Sequence, residues 1–170
     1  MKKRIIDFLL SDKVIIITLI VSISLFTWFW ISYDQPRDVE YKYNGIKYLA
    51  GNLQSAEPIN IEIKGKYVKQ LFVENVDFYG TIKVGENAYN YNPITFNKYK
   101  MGSLEPYGMI YISDGFEKLT IEILEPNQYG GRSFSYRNGW LISAPCNDRK
   151  EAVEVSNALI QRLYKGLVIE

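Results

Sequence analysis

Ile59-Asn-Ile61-Glu-Ile63-Lys-Gly65-Lys-Tyr67 is the cleanest period-two stretch of the chain. Successive side chains of an extended strand point to opposite faces, so the Ile and Tyr side chains share one face and the Asn, Glu and Lys side chains the other. Such a strand lies with one side on a core and the other in water, the habit of antiparallel sheets.

The same signal recurs on both sides of it. Upstream, Val39-Glu-Tyr41-Lys-Tyr43 and Ile46-Lys-Tyr48-Leu-Ala50 flank Asn44-Gly45. An Asn-Gly pair between two such runs predicts a hairpin, because both central residues of a type I′ turn need positive φ. Gly51 to Pro58 reads as a loop. Downstream, Phe78 to Gly85, Ile94 to Phe96, Met109 to Ser113 and Lys118 to Leu124 predict further strands, with Gly80 marking a bulge or a close backbone approach. Leu71-Phe72-Val73 predicts a short strand or helical turn. Asn87 to Pro93 reads as a polar loop, and Pro126 to Arg132 as the most flexible one. Ser133 to Arg137 and Trp140 to Ala144 flank Asn138-Gly139 and predict a second hairpin.

After Pro145 the period changes. Asp148 and Glu151 stand at capping-box spacing, with an acid in place of the usual Ser or Thr. Ala152, Val155, Leu159 and Leu163 follow on one helical face, and Gly166 is placed to end the helix after four to five turns. Leu167 to Glu170 would add an edge strand. Seven to nine strands with no room for helical crossovers, followed by one amphipathic helix, make an α+β domain. The expected body is an antiparallel β-rich meander, a curved sheet or partly open barrel, over residues 39–170.

A different segment precedes this body. Val14 to Tyr33, VIIITLIVSISLFTWFWISY, carries no charge, and its polar members are hydroxyls that can bond back to their own helix. Twenty residues at about 1.5 Å each match a hydrocarbon core of about 30 Å. The reading is a transmembrane helix over 14–33, with a cytoplasmic segment at 1–13 and a linker at 34–38. Lys2, Lys3, Arg4 and Lys13 precede the span, and the nearest basic residue beyond it is Arg37. This asymmetry predicts a cytoplasmic N-terminus and an extracytoplasmic C-terminal domain on the cell membrane. The bulky Trp-Phe-Trp-Ile-Ser-Tyr exit lacks a small-residue cleavage site, which favours an uncleaved signal-anchor. Trp28, Trp30 and Tyr33 fall where amphipathic rings meet headgroups, so the bilayer is the first expected partner.

Composition narrows the chemistry. Of 20 Lys and Arg residues four precede the span, and of 19 Asp and Glu two do, leaving a near-balanced 16 and 17 beyond it. That balance argues against nucleic acid as a partner. The chain has no His, which excludes Ser-His-Asp and Cys-His hydrolases and His-ligated zinc. The one cysteine, Cys146, reads as a small buried hydrophobe, and disulfide-free composition fits a bacterial surface protein. No cofactor-binding or metal-binding motif is present.

Fourteen tyrosines, Tyr41, Tyr43, Tyr48, Tyr99, Tyr107 and Tyr111 among them, suit half-buried strands, with rings on the core and hydroxyls in water. Tyr89 and Tyr91 in Tyr89-Asn-Tyr91-Asn92 stand apart, in a stretch too polar for a core, and are candidate ligand contacts. Asp77, Asp114, Glu117 and Glu125 are the candidates for a glycosidase-type carboxylate pair, although each lies beside a turn where acids are usually solvated. The anchor, the β-rich body and Ser143-Ala-Pro-Cys-Asn-Asp-Arg-Lys-Glu-Ala152 entering the last helix resemble uncharacterised single-pass membrane-anchored surface proteins of Gram-positive bacteria. These readings point to a non-enzymatic binding or interaction module contacting an envelope protein or cell-wall glycan. The rival reading is an envelope glycan hydrolase with paired carboxylates.

Overall fold

A computed structural model describes residues 12–33, 35–69 and 74–170. Most of the expected cytoplasmic segment and the Leu71-Phe72-Val73 element lie outside those residues. The first element is α1 (Asp12–Tyr33), and its part from Lys13 to Tyr33 has a mean hydropathy of 2.4 with none of its apolar window buried. It is long and apolar enough to span a membrane, as a single-pass protein requires. Thr18, Ser24 and Thr27 each donate a hydroxyl to the carbonyl four residues earlier, at 2.8 Å. These polar groups are therefore satisfied within the helix, as a lipid environment demands.

The body comprises β1 (Arg37–Leu49), β2 (Glu57–Lys69), β3 (Val76–Val84), β4 (Asn87–Phe96), β5 (Met101–Leu104), β6 (Gly108–Ile112), β7 (Leu119–Ile123), a small hairpin of β8 (Glu125–Pro126) and β9 (Arg132–Ser133), β10 (Trp140–Ala144), and α2 (Arg149–Ile160). Eight strands form one antiparallel sheet in the order β4-β3-β2-β1-β10-β7-β6-β5, which curls until it is nearly a barrel. Two meanders, β1 to β4 and β5 to β7, are joined by β10 inserted between β1 and β7. At the opposite seam β4 and β5 pack without a ladder. A Cβ on Gly102 of β5 would sit 3.0 Å from Ile94 and 3.1 Å from the Phe96 ring, so glycine lets the seam close.

Two cores result. Inside the curl lie Ile61, Ile63, Phe78, Ile82, Phe96 and Ile121 with their neighbours. Outside it, α2 covers β1, β10, β7 and β6 over a second cluster that includes Ile46, Tyr48, Leu141, Val155 and Leu159.

This double core overturns the first expected hairpin. Asn44-Gly45 lies in the middle of β1, paired in unbroken register with Asn60 and Ile59 of β2. The apolar set moves from odd positions (Val39, Tyr41, Tyr43) to even ones (Ile46, Tyr48, Ala50) because the outer face of β1 passes from water to cover beneath α2. Gly45 faces inward, where a Cβ would lie 2.8 Å from the Ser143 carbonyl oxygen. It is a packing glycine and not a turn. Asn138-Gly139 does turn the chain, with Gly139 N–H donating to Ser135 O at 2.7 Å, yet β10 pairs with β1 and β7 and makes no hairpin with 133–137.

Other expectations meet the structure directly. The Gly80 bulge is present, with the register shifting between Phe78 and Gly80. The polar 87–93 segment is strand, not loop: it is part of β4, whose polar residues face water. The 126–132 loop is a closed hairpin. The acidic cap of α2 is confirmed, Asp148 Oδ1 accepting from Glu151 N–H at 2.9 Å, while Glu151 reaches back to Asn147 N–H at 2.8 Å. The helix is shorter than expected, 12 residues or about three turns. Asn157 explains why: its amide bonds both N–H and C=O of Ile169, which folds the tail back along the helix and buries Ile169. For the same reason 167–170 is a docked tail and not an edge strand.

Leu159 is 2% exposed in the outer core. Leu159→Ala is expected to cost about 2–5 kcal/mol through the cavity it leaves. Chemical denaturation of the full chain in detergent, with Trp28 and Trp30 replaced by Phe so that fluorescence reports Trp140 alone, measures this. Trp140 is partly buried under the Lys47 ammonium, 4.5 Å from its ring, beside this core. An unchanged midpoint contradicts the packing.

Candidate functional site

The topology gives the body two rims. The chain enters at Arg37, and the β2–β3, β4–β5 and β6–β7 connections open on that rim. β1 then runs about 40 Å of strand to Leu49. The far rim carries the 50–56 loop, Gly85-Glu86, the 105–107 turn and the whole 124–139 connection with its β8–β9 hairpin.

The entry rim is plugged. A 3-10 turn at Asp114–Phe116 carries Phe116 inward with φ 66, and its ring meets Tyr67, Phe78 and Phe96 at 5.3–5.9 Å between centroids. Tyr43 donates its hydroxyl to the Phe116 carbonyl, and burial pushes that phenol's pKa up.

The expected carboxylates do not converge. Asp77 accepts from the Thr95 hydroxyl at 2.6 Å on the outside of β3, Asp114 lies 3.8 Å from the Lys100 ammonium, and Glu117 is exposed nearby. All three belong to the entry end, while Glu125 stands on the far-rim hairpin. Cys146 is buried, donates to Ser143 O at 2.8 Å, and has its thiol pushed up to about 11 by burial. Tyr89 and Tyr91 both lie half-buried at the far mouth. The Tyr89 ring meets Tyr107 edge-on at 5.6 Å, and Tyr91 donates to Glu105 O at 2.6 Å, its phenol pushed up to about 12 chiefly by burial. They line the rim from within and do not project from it. Trp28 and Trp30 are exposed along α1, and Tyr33 is partly covered beside Phe29.

Sequence reasoning missed two features. The first is Glu122. The alternation of β7 assigns it to water, but the Tyr111 and Tyr136 side chains cover it, and it is 4% exposed. Tyr111 donates to its carboxylate at 2.7 Å, and Tyr136 lies 3.1 Å from the Tyr111 hydroxyl. Tyr136 also lines a cavity of about 350 Å³ with Gly51, Arg137, Val168 and Glu170. Burial raises the Glu122 pKa above the ordinary carboxylate range, while the Tyr111 and Tyr136 hydroxyls and the Met109 N–H pull it partly back.

A folded pKa above the unfolded value of about 4.5 means stability fully present below 4.5 and lost as pH rises through the folded pKa. Glu122→Gln, which stays neutral, is expected to lose that component of the slope. Urea midpoints of both proteins from pH 4 to 8 check it, and parallel curves contradict it. The buried Ser143, Ser156 and Thr120 hydroxyls beneath α2 form a separate chain at 2.7–3.4 Å, which the Tyr48 hydroxyl joins at Ser156.

The second missed feature is the hairpin tip. Tyr129 is 86% exposed, more than any other large apolar side chain among the described residues. The signal present in the sequence is an aromatic residue followed by Gly130-Gly131. Among the described residues no group of three His, Cys, Asp or Glu side chains is placed to hold a metal ion. Comparisons with protein-family models, with curated proteins and with solved structures found no match.

Proposed function

We propose that this protein is a single-pass, extracytoplasmic binding module of the cell envelope. It is anchored through α1 with its N-terminus in the cytoplasm, and it presents the far rim of its near-barrel to another envelope component. The observation that carries this reading is the way the chain enters the body. β1 starts at Arg37, four residues after the apolar helix ends at Tyr33, so the entry rim is tethered within about 14 Å of the helix end. The far rim, about 40 Å of strand away, is the end left free. The basic residues before the span and the aromatic cluster at its exit, Trp28, Trp30 and Tyr33, support the orientation.

Photo-crosslinking in intact cells tests the reading. Photoreactive residues replacing Gln128 and Leu53 on the far rim are expected to trap an envelope component, and one replacing Lys3 is not. Adducts from the rim positions with cytoplasmic components alone contradict it.

A further inference from the structure

We propose that the β8–β9 hairpin is a saccharide-binding finger, with the Tyr129 ring as its stacking platform. The inference rests on the extracytoplasmic reading above and adds the contact and the ligand class.

Three observations carry it. The ring is displayed and not packed, at 86% exposure, on the rim opposite the tether. The loop that holds it is fixed. Asn127 N–H donates to Gly131 O at 2.8 Å, and Gly130 N–H donates to Asn127 O at 3.1 Å. The Asn127 side-chain oxygen accepts from the N–H groups of Tyr129 and Gly131 at 3.0 and 3.1 Å. Arg132 staples the base to the body, donating to Pro106 O at 2.8 Å and to Leu124 O at 2.7 Å. Fixing the backbone that carries an aromatic ring before the ligand arrives removes part of the ordering cost from binding.

The surroundings of the ring are open and polar. A Cβ on Gly130, whose φ is 77, would meet nothing within 4 Å, and one on Gly131 would meet only the Asn127 side chain. The other tip residues are Asn127 and the exposed Gln128.

These features select among ligands. A protein partner needs about 800 Å² on each side with an apolar centre. The hairpin tip offers one ring set among amides and glycines. That is the scale of one or two pyranose units, whose C–H face packs on an aromatic ring while hydroxyls bond an amide such as that of Gln128. The aromatic face supplies apolar area and its surroundings supply polarity.

The test uses the full chain in lipid nanodiscs, titrated with soluble oligosaccharides of alternating N-acetylglucosamine and N-acetylmuramic acid and followed by calorimetry. Saturable binding is expected for the wild type. Tyr129→Phe and Tyr129→Trp are expected to bind within about threefold of it, because the ring and not the hydroxyl carries the contact. Tyr129→Ala is expected to lose at least about tenfold, roughly 1.4 kcal/mol, with an unchanged melting temperature because the ring is unpacked. Binding that survives in Tyr129→Ala overturns the finger and leaves the envelope reading standing. No saccharide binding by the wild type, or capture of a protein at Tyr129 instead, overturns the ligand class. Cytoplasmic exposure of the domain, read from thiol labelling at Gln128, refutes the extracytoplasmic reading itself.

Discussion

Phe116→Ala is expected to destabilise the domain by about 3–5 kcal/mol, the range for removing a fully buried aromatic ring. Phe116 is 1% exposed and touches three other aromatic rings, from β2, β3 and β4, while its carbonyl receives the Tyr43 hydroxyl from β1. It therefore ties the β6–β7 connection to the four strands of the first meander, across the end where β10 does not reach. β10 pairs with β1 only from Ile46 to Leu49, so residues 37–43 have a strand neighbour on the β2 side alone. The plug does there what pairing does elsewhere. Urea denaturation monitored by far-ultraviolet circular dichroism measures the loss. A variant as stable as the wild type shows that the entry rim is closed by something other than this ring.

A comparable loss is expected from a single methyl group at Gly65. Gly65 faces Gly80 across the β2–β3 ladder. A Cβ on Gly65 would lie 2.2 Å from the Tyr79 carbonyl oxygen and 2.8 Å from the Gly80 Cα. Both obstacles are backbone, so relief requires moving a strand in the middle of the sheet. Gly65→Ala is expected to cost about 3 kcal/mol, the upper range for overpacking. Gly166→Ala makes the control, because φ there is 86 and nothing lies within 4 Å of the added Cβ. That substitution should cost only the left-handed backbone penalty, about 1–2 kcal/mol. Equal effects at the two sites contradict the close approach of β2 and β3.

What was legible in the sequence follows from how local each signal is. The capped start of α2 was legible because Asp148 and Glu151 bond within one turn. The β-rich body was legible because alternation recurs in strand after strand, and α1 because it is one uninterrupted apolar run. The end of α2 was not, because a tail held by Asn157 replaces its last turns. Asn44-Gly45 misled for the same reason. A turn and a glycine needed for close packing look alike until the second core, outside the sheet, is known. Glu122 was hidden similarly, its alternation being correct and the place of the supposed solvent being taken by Tyr111 and Tyr136. Of the candidate ligand contacts, Tyr89 and Tyr91 line the far mouth from within, and the exposed ring on that rim belongs to Tyr129.

In the proposed topology one apolar helix anchors a domain that lies outside the cytoplasmic membrane. Thiol labelling in intact cells tests it most directly, because the native Cys146 is buried and its thiol is held protonated. With Gln128→Cys on the far rim, a membrane-impermeant maleimide is expected to label intact cells. With Lys3→Cys, labelling is expected only after the membrane is opened. Labelling of Lys3→Cys in intact cells, with Gln128→Cys protected until lysis, would contradict the claim.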